Sequence, residues 1–515
     1  MARKPEPTIS AVLIVKDEEE YLARCLESVR WVDEIVVYDT GSTDRTVEIA
    51  RQFTDTVIEG YWNDDFGDAR NRALAHATSE WVLIVDADET FEANPRALRK
   101  HLAAGKANFF TVTVSTRVAA AGVAHVPVVS VRLFRKADGR YTGALHEQVV
   151  PRPEVSMSLR PLPGAAIRHS GYSEGPEAMA VRLRRNLEIA EREVASAEAG
   201  SGGTAGLALR QANLARTLSA VGRTEEALAL AEQVYREGDL PDEATELFAS
   251  TMVLTAAHTR DFELARTWAR RLRGVLGNPV WADSLLVDIA ALEGSAELTL
   301  DLLECVPTTV VDHRGRQFRR LDRAGHELWA LHRLGRIGEA HGVARRAALA
   351  GVVPGHPAQL LEWLGADGVR QMVALLPDDA WQLLGVLCTH APASPAAHQV
   401  LSLMAQARPD DLTPVLCARR LVFASDLAGL EEAASWSARM RTVGLDEHCP
   451  LVTIAVGIEV PAAQRARAAA LALFAYGDSR ALPPLETALA QIAPEDQAEL
   501  AAQLDVLAPG LVQHA

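Results

Sequence analysis

Trp81-Val82-Leu83-Ile84-Val85-Asp86-Ala87-Asp88-Glu89 is an apolar run that ends abruptly in acid. The apolar residues read as a buried strand, and two carboxylates one residue apart sit where the chain leaves the sheet. Oxygen ligands at this spacing can hold Mg2+ or Mn2+ and still leave coordination positions for diphosphate oxygens. Taken alone, such a triplet is better explained by acids that cap a following turn or helix. The surrounding sequence has to decide.

Working back toward the amino terminus, Ile9 to Val15, Glu34 to Asp39 and Thr56 to Glu59 are further short apolar runs. Helical patterns at Glu18 to Val29, Thr43 to Phe53 and Gly67 to Ala77 separate them. This alternation predicts βαβ units and a mostly parallel sheet, a Rossmann-like α/β arrangement. In such sheets ligands bind beyond the carboxyl ends of the strands, where the connecting loops converge. Asp17, Asp39 and Asp86 all fall at such ends. Asp39 is expected to point into the crevice and accept from a nucleobase N–H or a ribose hydroxyl. Asp17 either faces the same ligand or caps a helix. Ser42 and Thr43 read as helix caps.

Between Phe109 and His169 the pattern turns β-rich, with Val128 to Phe134 and an Asp138-Gly139 turn. From about Ser173 onward Ala, Leu, Arg and Glu recur at helical spacing and strands are not expected. The Gly200 to Gly206 cluster reads as a flexible loop. Related phrases then recur at Gly222-Arg223-Thr224-Glu225-Glu226-Ala227, Arg260-Asp261-Phe262-Glu263-Leu264-Ala265 and Gly335-Arg336-Ile337-Gly338-Glu339-Ala340. Ala227 and Ala265 are 38 positions apart, and Ala227 and Ala340 are 113 apart, close to three such periods. Helix-turn-helix repeats of the tetratricopeptide kind are expected, although the full aromatic pattern is missing. The expected domains are therefore 1–172 catalytic, 173–206 helical connection and loop, 207–350 repeats, and 351–515 further helices without a repeat phase.

Bulk properties fit this division. A chain of 515 residues implies two or three domains. The formal charge of -16 disfavours nucleic acid as a partner but not a small anion neutralised by a metal and an arginine. Five scattered cysteines form no CxxC pair and suit a reducing, cytoplasmic setting. The Ile9 to Val15 run passes directly into Lys16-Asp17-Glu18 with no cleavage site, so it is not expected to be a leader. Apolar stretches such as Ala468 to Tyr476 fall short of the ~20 residues that span a bilayer.

Several motifs together resemble the family 2 glycosyltransferases of the GT-A fold. Ser10 to Glu19 resembles the first strand and acidic turn, Asp39-Thr40-Gly41-Ser42-Thr43-Asp44 the second, and Asp86-Ala87-Asp88-Glu89 the metal motif. Trp62-Asn63-Asp64-Asp65-Phe66-Gly67-Asp68-Ala69-Arg70-Asn71 resembles the segment before the third helix in one subgroup. Tyr141-Thr142-Gly143-Ala144-Leu145-His146-Glu147 and Ile167-Arg168-His169-Ser170-Gly171-Tyr172 resemble its later elements. The resemblance covers about a third of the chain. It implies that Asp39 binds the base, that Arg70 lies near base or diphosphate, and that Asp86 and Asp88 address ribose and metal.

Chemistry of the residues agrees in part. The Arg70 guanidinium can fork onto carboxylate or phosphate, or make a surface ion pair. His169 suits Mn2+ as a third metal ligand beside Asp86 and Asp88, or is a structural histidine. Glu147 is the candidate general base of an inverting transfer, although the family's more familiar pattern has an Asp there. His146 is either the base or a group that orients the acceptor. Trp62 either contacts nucleotide or sugar or packs, Tyr172 borders the cleft or packs, and Trp81 belongs to the core.

The expected reaction is metal-assisted single displacement, moving a hexose of glucose or N-acetylglucosamine type from a UDP-sugar. Resemblance to transferases that pair this domain with helical repeats, including some that modify bacteriocin-type peptides, implies a Ser, Thr or Cys side chain of a peptide or protein as acceptor. A cell-envelope glycan or lipid is the alternative, and the repeats serve either acceptor binding or homodimerisation. A non-catalytic nucleotide-sugar-binding scaffold does not need the complete acidic and His/Glu set. A nucleotidyltransferase would need a basic, Gly-rich triphosphate loop where Asp17-Glu18-Glu19-Glu20 stands.

Overall fold

The structure is a computed structural model, and it describes residues 6–105, 107–116, 128–169, 176–201, 203–238, 240–311, 317–493, 496–500 and 502. The placement of the first strand, β1 (Ile9–Val15), explains why its sequence is apolar at every position but Ser10, whose buried hydroxyl donates to Glu34. Ile9, Ala11, Leu13 and Val15 enter one core cluster, whereas Val12 enters another on the opposite face. A strand covered on both faces reads as a nearly continuous apolar run. The same division holds for β2 (Glu34–Asp39) and β4 (Trp81–Ile84).

Helices α1 (Leu22–Ser28), α2 (Thr46–Ala50) and α4 (Pro95–Ala103) contribute to the first cluster, and α3 (Phe66–His76) to the second. With β3 (Val57–Glu59), β5 (Glu89–Glu92), β6 (Phe109–Thr116), β7 (Val128–Arg135) and β10 (Leu159–His169), the eight-stranded order is β3-β2-β1-β4-β7-β6-β10-β5. Strands β3, β2, β1, β4, β6 and β10 run one way, and β7 and β5 oppose them. The mostly parallel α/β sheet expected from the sequence is therefore present. The chain runs outward from β1 through β2 to β3, then returns to β1's other side as β4. That reversal puts Asp39 and Asp86, at the ends of β2 and β4, on either side of β1, where ligands of such sheets bind. A separate hairpin, β8 (Gly139–Thr142) and β9 (Gln148–Pro151), carries the loop between Gly143 and Glu147.

The chain divides into two compact units, Met1–Ala330 and Leu331–Ala515. In the first, the sheet is followed by α5 (Pro176–Ser196), α6 (Gly203–Ala220), α7 (Thr224–Glu237), α8 (Asp242–His258), α9 (Phe262–Val275), α10 (Val280–Glu293) and α11 (Ala296–Cys305). The stretch read as a loop from Gly200 to Gly206 is shorter than expected. The break is at Gly200, with φ of 110°, and α6 resumes at Gly203. One short hairpin, Thr309–Val311 with Gln317–Arg319, also interrupts the helices where no strand was expected. Three-residue strands are too short to show a period of two. The division between the units falls within helix α12 (Ala324–Arg333), and α13 (Ile337–Leu349) begins a second run of helices that reaches Leu489.

The recurring phrases have one backbone form. Gly222, Arg260 and Gly335 have φ of 82°, 64° and 70°, ending one helix in the left-handed region. The next residue donates its N–H five residues back: Arg223 to Leu218, Asp261 to Ala256 and Arg336 to Leu331, each at 2.9 Å. This helix-ending bond pattern satisfies carbonyls that would otherwise lack a partner. Five residues after each turn, Ala227, Ala265 and Ala340 are fully buried. Gly294 makes a fourth such turn, with φ of 91° and Ser295 N–H on the Ala290 carbonyl at 3.0 Å. Its small buried position is Thr299, so the alanine signal in the sequence passed over it.

Enlarging one of these positions should break the close approach of the paired helices. Ala265→Leu is expected to destabilise the protein by about 1–3 kcal/mol through overpacking. Urea unfolding followed by far-ultraviolet circular dichroism measures this, and an unchanged midpoint would remove the packing role.

Candidate functional site

Helix α3 assembles the site. Asp65 caps it by accepting the Asp68 N–H at 2.7 Å. The next two N–H groups, of Phe66 and Gly67, donate to the Ala144 and Gly143 carbonyls at 2.9 and 3.2 Å. A Cβ on Gly67 would lie 2.6 Å from the Gly143 oxygen, so only glycine permits this approach. One turn further along, Asn71 exchanges two bonds with the Tyr141 backbone, at 3.0 and 2.9 Å. The helix thus fixes the loop that carries His146 and Glu147.

From the same turn Arg70 reaches both ways. Its Nε donates to Glu147 Oε1 at 2.6 Å and its Nη2 to Asp86 Oδ1 at 2.8 Å. Arg132 on β7 holds the other Asp86 oxygen at 3.2 Å and Glu89 Oε1 at 2.7 Å. Asp86 is therefore gripped by two guanidiniums. Burial alone would raise its pKa, but Arg70 and Arg132 hold it well below the usual carboxylate range. Glu89, 1% exposed, goes the opposite way. Burial, then the Asp86 charge, pushes it up to about 7, with Arg132 opposing. Beneath them the buried Cys25 thiol donates to the Asp86 carbonyl at 3.2 Å, and burial raises its pKa well above 9.0. Sequence reasoning gave Arg132 and Glu89 no role. A lone arginine within the apolar run Val131 to Phe134 was the available signal.

Asp88 takes a different partner. Its Oδ2 lies 3.0 Å from His169 Nε2, because β10 runs antiparallel beside β5 with His169 opposite Glu89. The bond to Asp88 raises the His169 pKa against the effect of burial. Among the described residues, no three His, Cys, Asp or Glu side chains converge on one point that could hold an ion. Carboxylate plus imidazole still fits a site whose remaining ligands are phosphate oxygens and water. Asp86, turned to two cations, is not drawn into that pair. Ser170, Gly171 and Tyr172 lie outside the described residues.

The other expected site residues are largely engaged by the protein. Asp39 is 4% exposed and accepts from its own turn, from Gly41 N–H at 2.9 Å, Ser42 N–H at 3.0 Å and the Ser42 hydroxyl. Asp17, at φ of 54°, accepts the Thr43 N–H at 2.6 Å and caps no helix, since α1 begins at Leu22 and α2 at Thr46. Ser42 and Thr43 do not cap α2 as expected. They bind the Asp39 and Asp17 carboxylates, because the helix starts later, where Asp44 accepts the Thr46 N–H at 2.9 Å. The Trp62 indole donates to Asp64 at 2.8 Å, and its half-buried ring packs edge-on to Phe66 at 4.7 Å. His146 is buried, and burial followed by the Arg216 charge lowers its pKa to about 3. A neutral imidazole that weakly basic is poorly matched to taking a proton near neutral pH.

Residues 10–141 match the family described as glycosyl transferase family 2. The amino-terminal region is a family 2 glycosyl transferase domain. Over 193 residues the chain is 38% identical to a TPR repeat-containing protein of Synechococcus elongatus, covering 35% of this chain and 47% of that one. It is 29% identical over 189 residues to the SPbeta prophage-derived glycosyltransferase SunS of Bacillus subtilis, covering 36% and 44%. It is 30% identical over 163 residues to the lipopolysaccharide core biosynthesis glycosyltransferase LpsC of Rhizobium meliloti, covering 29% and 60%. These alignments span about half the length of the curated relatives. A glycosyl transferase domain followed by tetratricopeptide-like helices is thus the organisation of the chain.

Glu89 gives this domain a pH signature. Its folded pKa lies above the ordinary value of 4.5, so the folded chain keeps a proton that the unfolded chain releases. This contribution is fully present below about pH 4.5 and is lost as pH rises through about 7. In urea melts with chelator present, wild-type protein should therefore lose stability from pH 5 to pH 8 relative to Glu89→Gln. Parallel pH dependences of the two proteins would contradict the raised pKa.

Proposed function

We propose that the protein is an inverting glycosyltransferase that moves a hexose from a UDP-sugar to a Ser, Thr or Cys side chain of a peptide or protein. The observation that carries this reading is the Arg70 guanidinium joining Asp86 to Glu147 next to the Asp88–His169 pair, with Arg70, Asp86 and Asp88 inside the region that matches family 2. Asp39 and Asp86 face base and ribose, and Asp17 orders the loop beside them. Trp62 supports the site from behind.

In this reading Glu147 takes the proton from the acceptor hydroxyl or thiol. The acceptor oxygen or sulfur bonds to the anomeric carbon as the bond to the diphosphate breaks on the opposite face, releasing UDP. Arg70 couples donor to base. It is paired with Glu147 at 2.6 Å, and a bound diphosphate competes for the same guanidinium. Donor arrival thus frees the carboxylate that the acceptor needs. His146, neutral at the working pH, orients the acceptor. Asp88 and His169 would hold Mn2+ or Mg2+, which would supply positive charge to the departing diphosphate.

The helical repeats support a macromolecular acceptor. A cleft of about 730 Å³ between α7, α8 and α9 is lined by Tyr235, Leu240, Thr245, Thr267, Arg270 and Arg271, a mixed surface suited to an extended peptide. A second copy of the chain is the competing occupant. A cell-envelope glycan or lipid acceptor is the second reading, favoured by the name of the LpsC relative. No described helix is long and apolar enough to cross a membrane. The scattered cysteines support assigning the reaction to the cytoplasm.

With Mn2+ present, UDP-hexoses should raise the thermal midpoint more than GDP- or dTDP-sugars, because selective binding stabilises the folded state. Equal shifts for all three would defeat the UDP assignment. Asp88→Ala should fold normally and lose turnover by about 10²–10³-fold. Glu147→Gln should bind donor and slow transfer by about 10²–10⁴-fold. If Glu147→Gln turns over at the wild-type rate, another group takes the proton.

A further inference from the structure

The loop Gly143 to Glu147 has two walls, and only one of them belongs to the sheet domain. Against α3, the Ala144 carbonyl accepts the Phe66 N–H at 2.9 Å. On the other side, the Ala144 N–H donates to Glu193 Oε1 on α5 at 3.0 Å. Both backbone groups of Ala144 are therefore held, one by each wall. Leu145 is buried in a small cluster with Ile189 and Ala190 of α5, bordered by Trp62, Phe66 and Leu214. Arg185 of α5 stands 5.3 Å from the Phe66 ring centre. His146 then turns the chain at φ of 53°, and Glu147 meets Arg70.

We propose that Glu193 is a positioning residue, and that through the Ala144 N–H it holds the Gly143–Glu147 loop at Arg70, making α5 part of the active site. Glu193 lies 46 residues beyond Glu147, past the region that matches the family. The role of Glu147 in transfer, on which this inference rests, comes from the proposed function. Removing the Glu193 carboxylate takes the acceptor away from a partly buried N–H, and an unsatisfied donor favours the opened loop. The effect should appear in the rate of the chemical step rather than in donor binding, because a shift of about 1 Å in a catalytic group costs on the order of 10²-fold in rate.

Three variants test this: Glu193→Ala, Glu193→Gln, which keeps a carbonyl acceptor, and Arg192→Ala, which removes only an exposed pair with Asp64. Hydrogen exchange of the peptide covering 143–147 reads the loop without turnover, and kcat and donor Kd are measured beside it. Glu193→Ala should exchange faster there, keep the donor Kd and lower kcat by about 10-fold or more, with 10²-fold as the upper scale. Glu193→Gln should recover both protection and rate, and Arg192→Ala should match wild type. Wild-type exchange in Glu193→Ala, or faster exchange with an unchanged kcat, overturns the proposal. Should wild-type protein transfer no sugar at all, the proposed function fails, and the exchange comparison still decides whether Glu193 holds the loop.

Discussion

One guanidinium organises the catalytic region. Arg70 is 11% exposed, and its two bonds reach a carboxylate 16 positions away and another 77 positions away. A buried cation of this kind is costly unless every donor is answered, so the acids and the arginine specify one another's places. Arg132 extends the same constraint to Asp86 and Glu89. With two cations facing Asp86, Glu89 and Glu147, the cluster keeps its charges close to balance before any ligand arrives. In the proposed transfer, an entering diphosphate would compete with carboxylates already in place, and that competition would let the site respond to its donor.

The sheet could be read from the sequence because its central strands are buried on both faces, which makes Trp81 to Val85 a continuous apolar run and Ile9 to Val15 one broken only by Ser10. Helix starts were harder to read. The first was expected from Glu18 and begins at Leu22, since the N–H groups of Glu18 and Glu19 are taken by Thr46 and Asp44 across the neighbouring loop. Such contacts between loops leave no periodic trace. Strand β5 and helix α4 went unread, although Asn94 followed by Pro95 is a helix-start pattern.

Much the same holds for the site. Arg70, Asp86 and Glu147 were separate candidates in the sequence, and the fold brings them onto one guanidinium. The direction of each carboxylate was not readable: Asp39 is turned onto N–H groups of its own turn, and Asp17 onto the Thr43 N–H, which only tertiary structure places beside it. Arg132 could have been suspected from its apolar surroundings. Nothing local announces Glu193, since one more glutamate on an amphipathic helix looks like any solvated position until the loop is packed against it.

The approach of Gly67 to Gly143 has a meaning beyond rigidity. Two backbones separated by too little space for a methyl group cannot drift independently. A side chain at position 67 would be tolerated only with a rebuilt hairpin loop, and such a loop would no longer present Glu147 to Arg70. Descent is therefore channelled at this contact. A lineage that keeps this loop and its chemistry must keep the glycine, whereas one that has lost the glycine has in the same event become free to lose the acid.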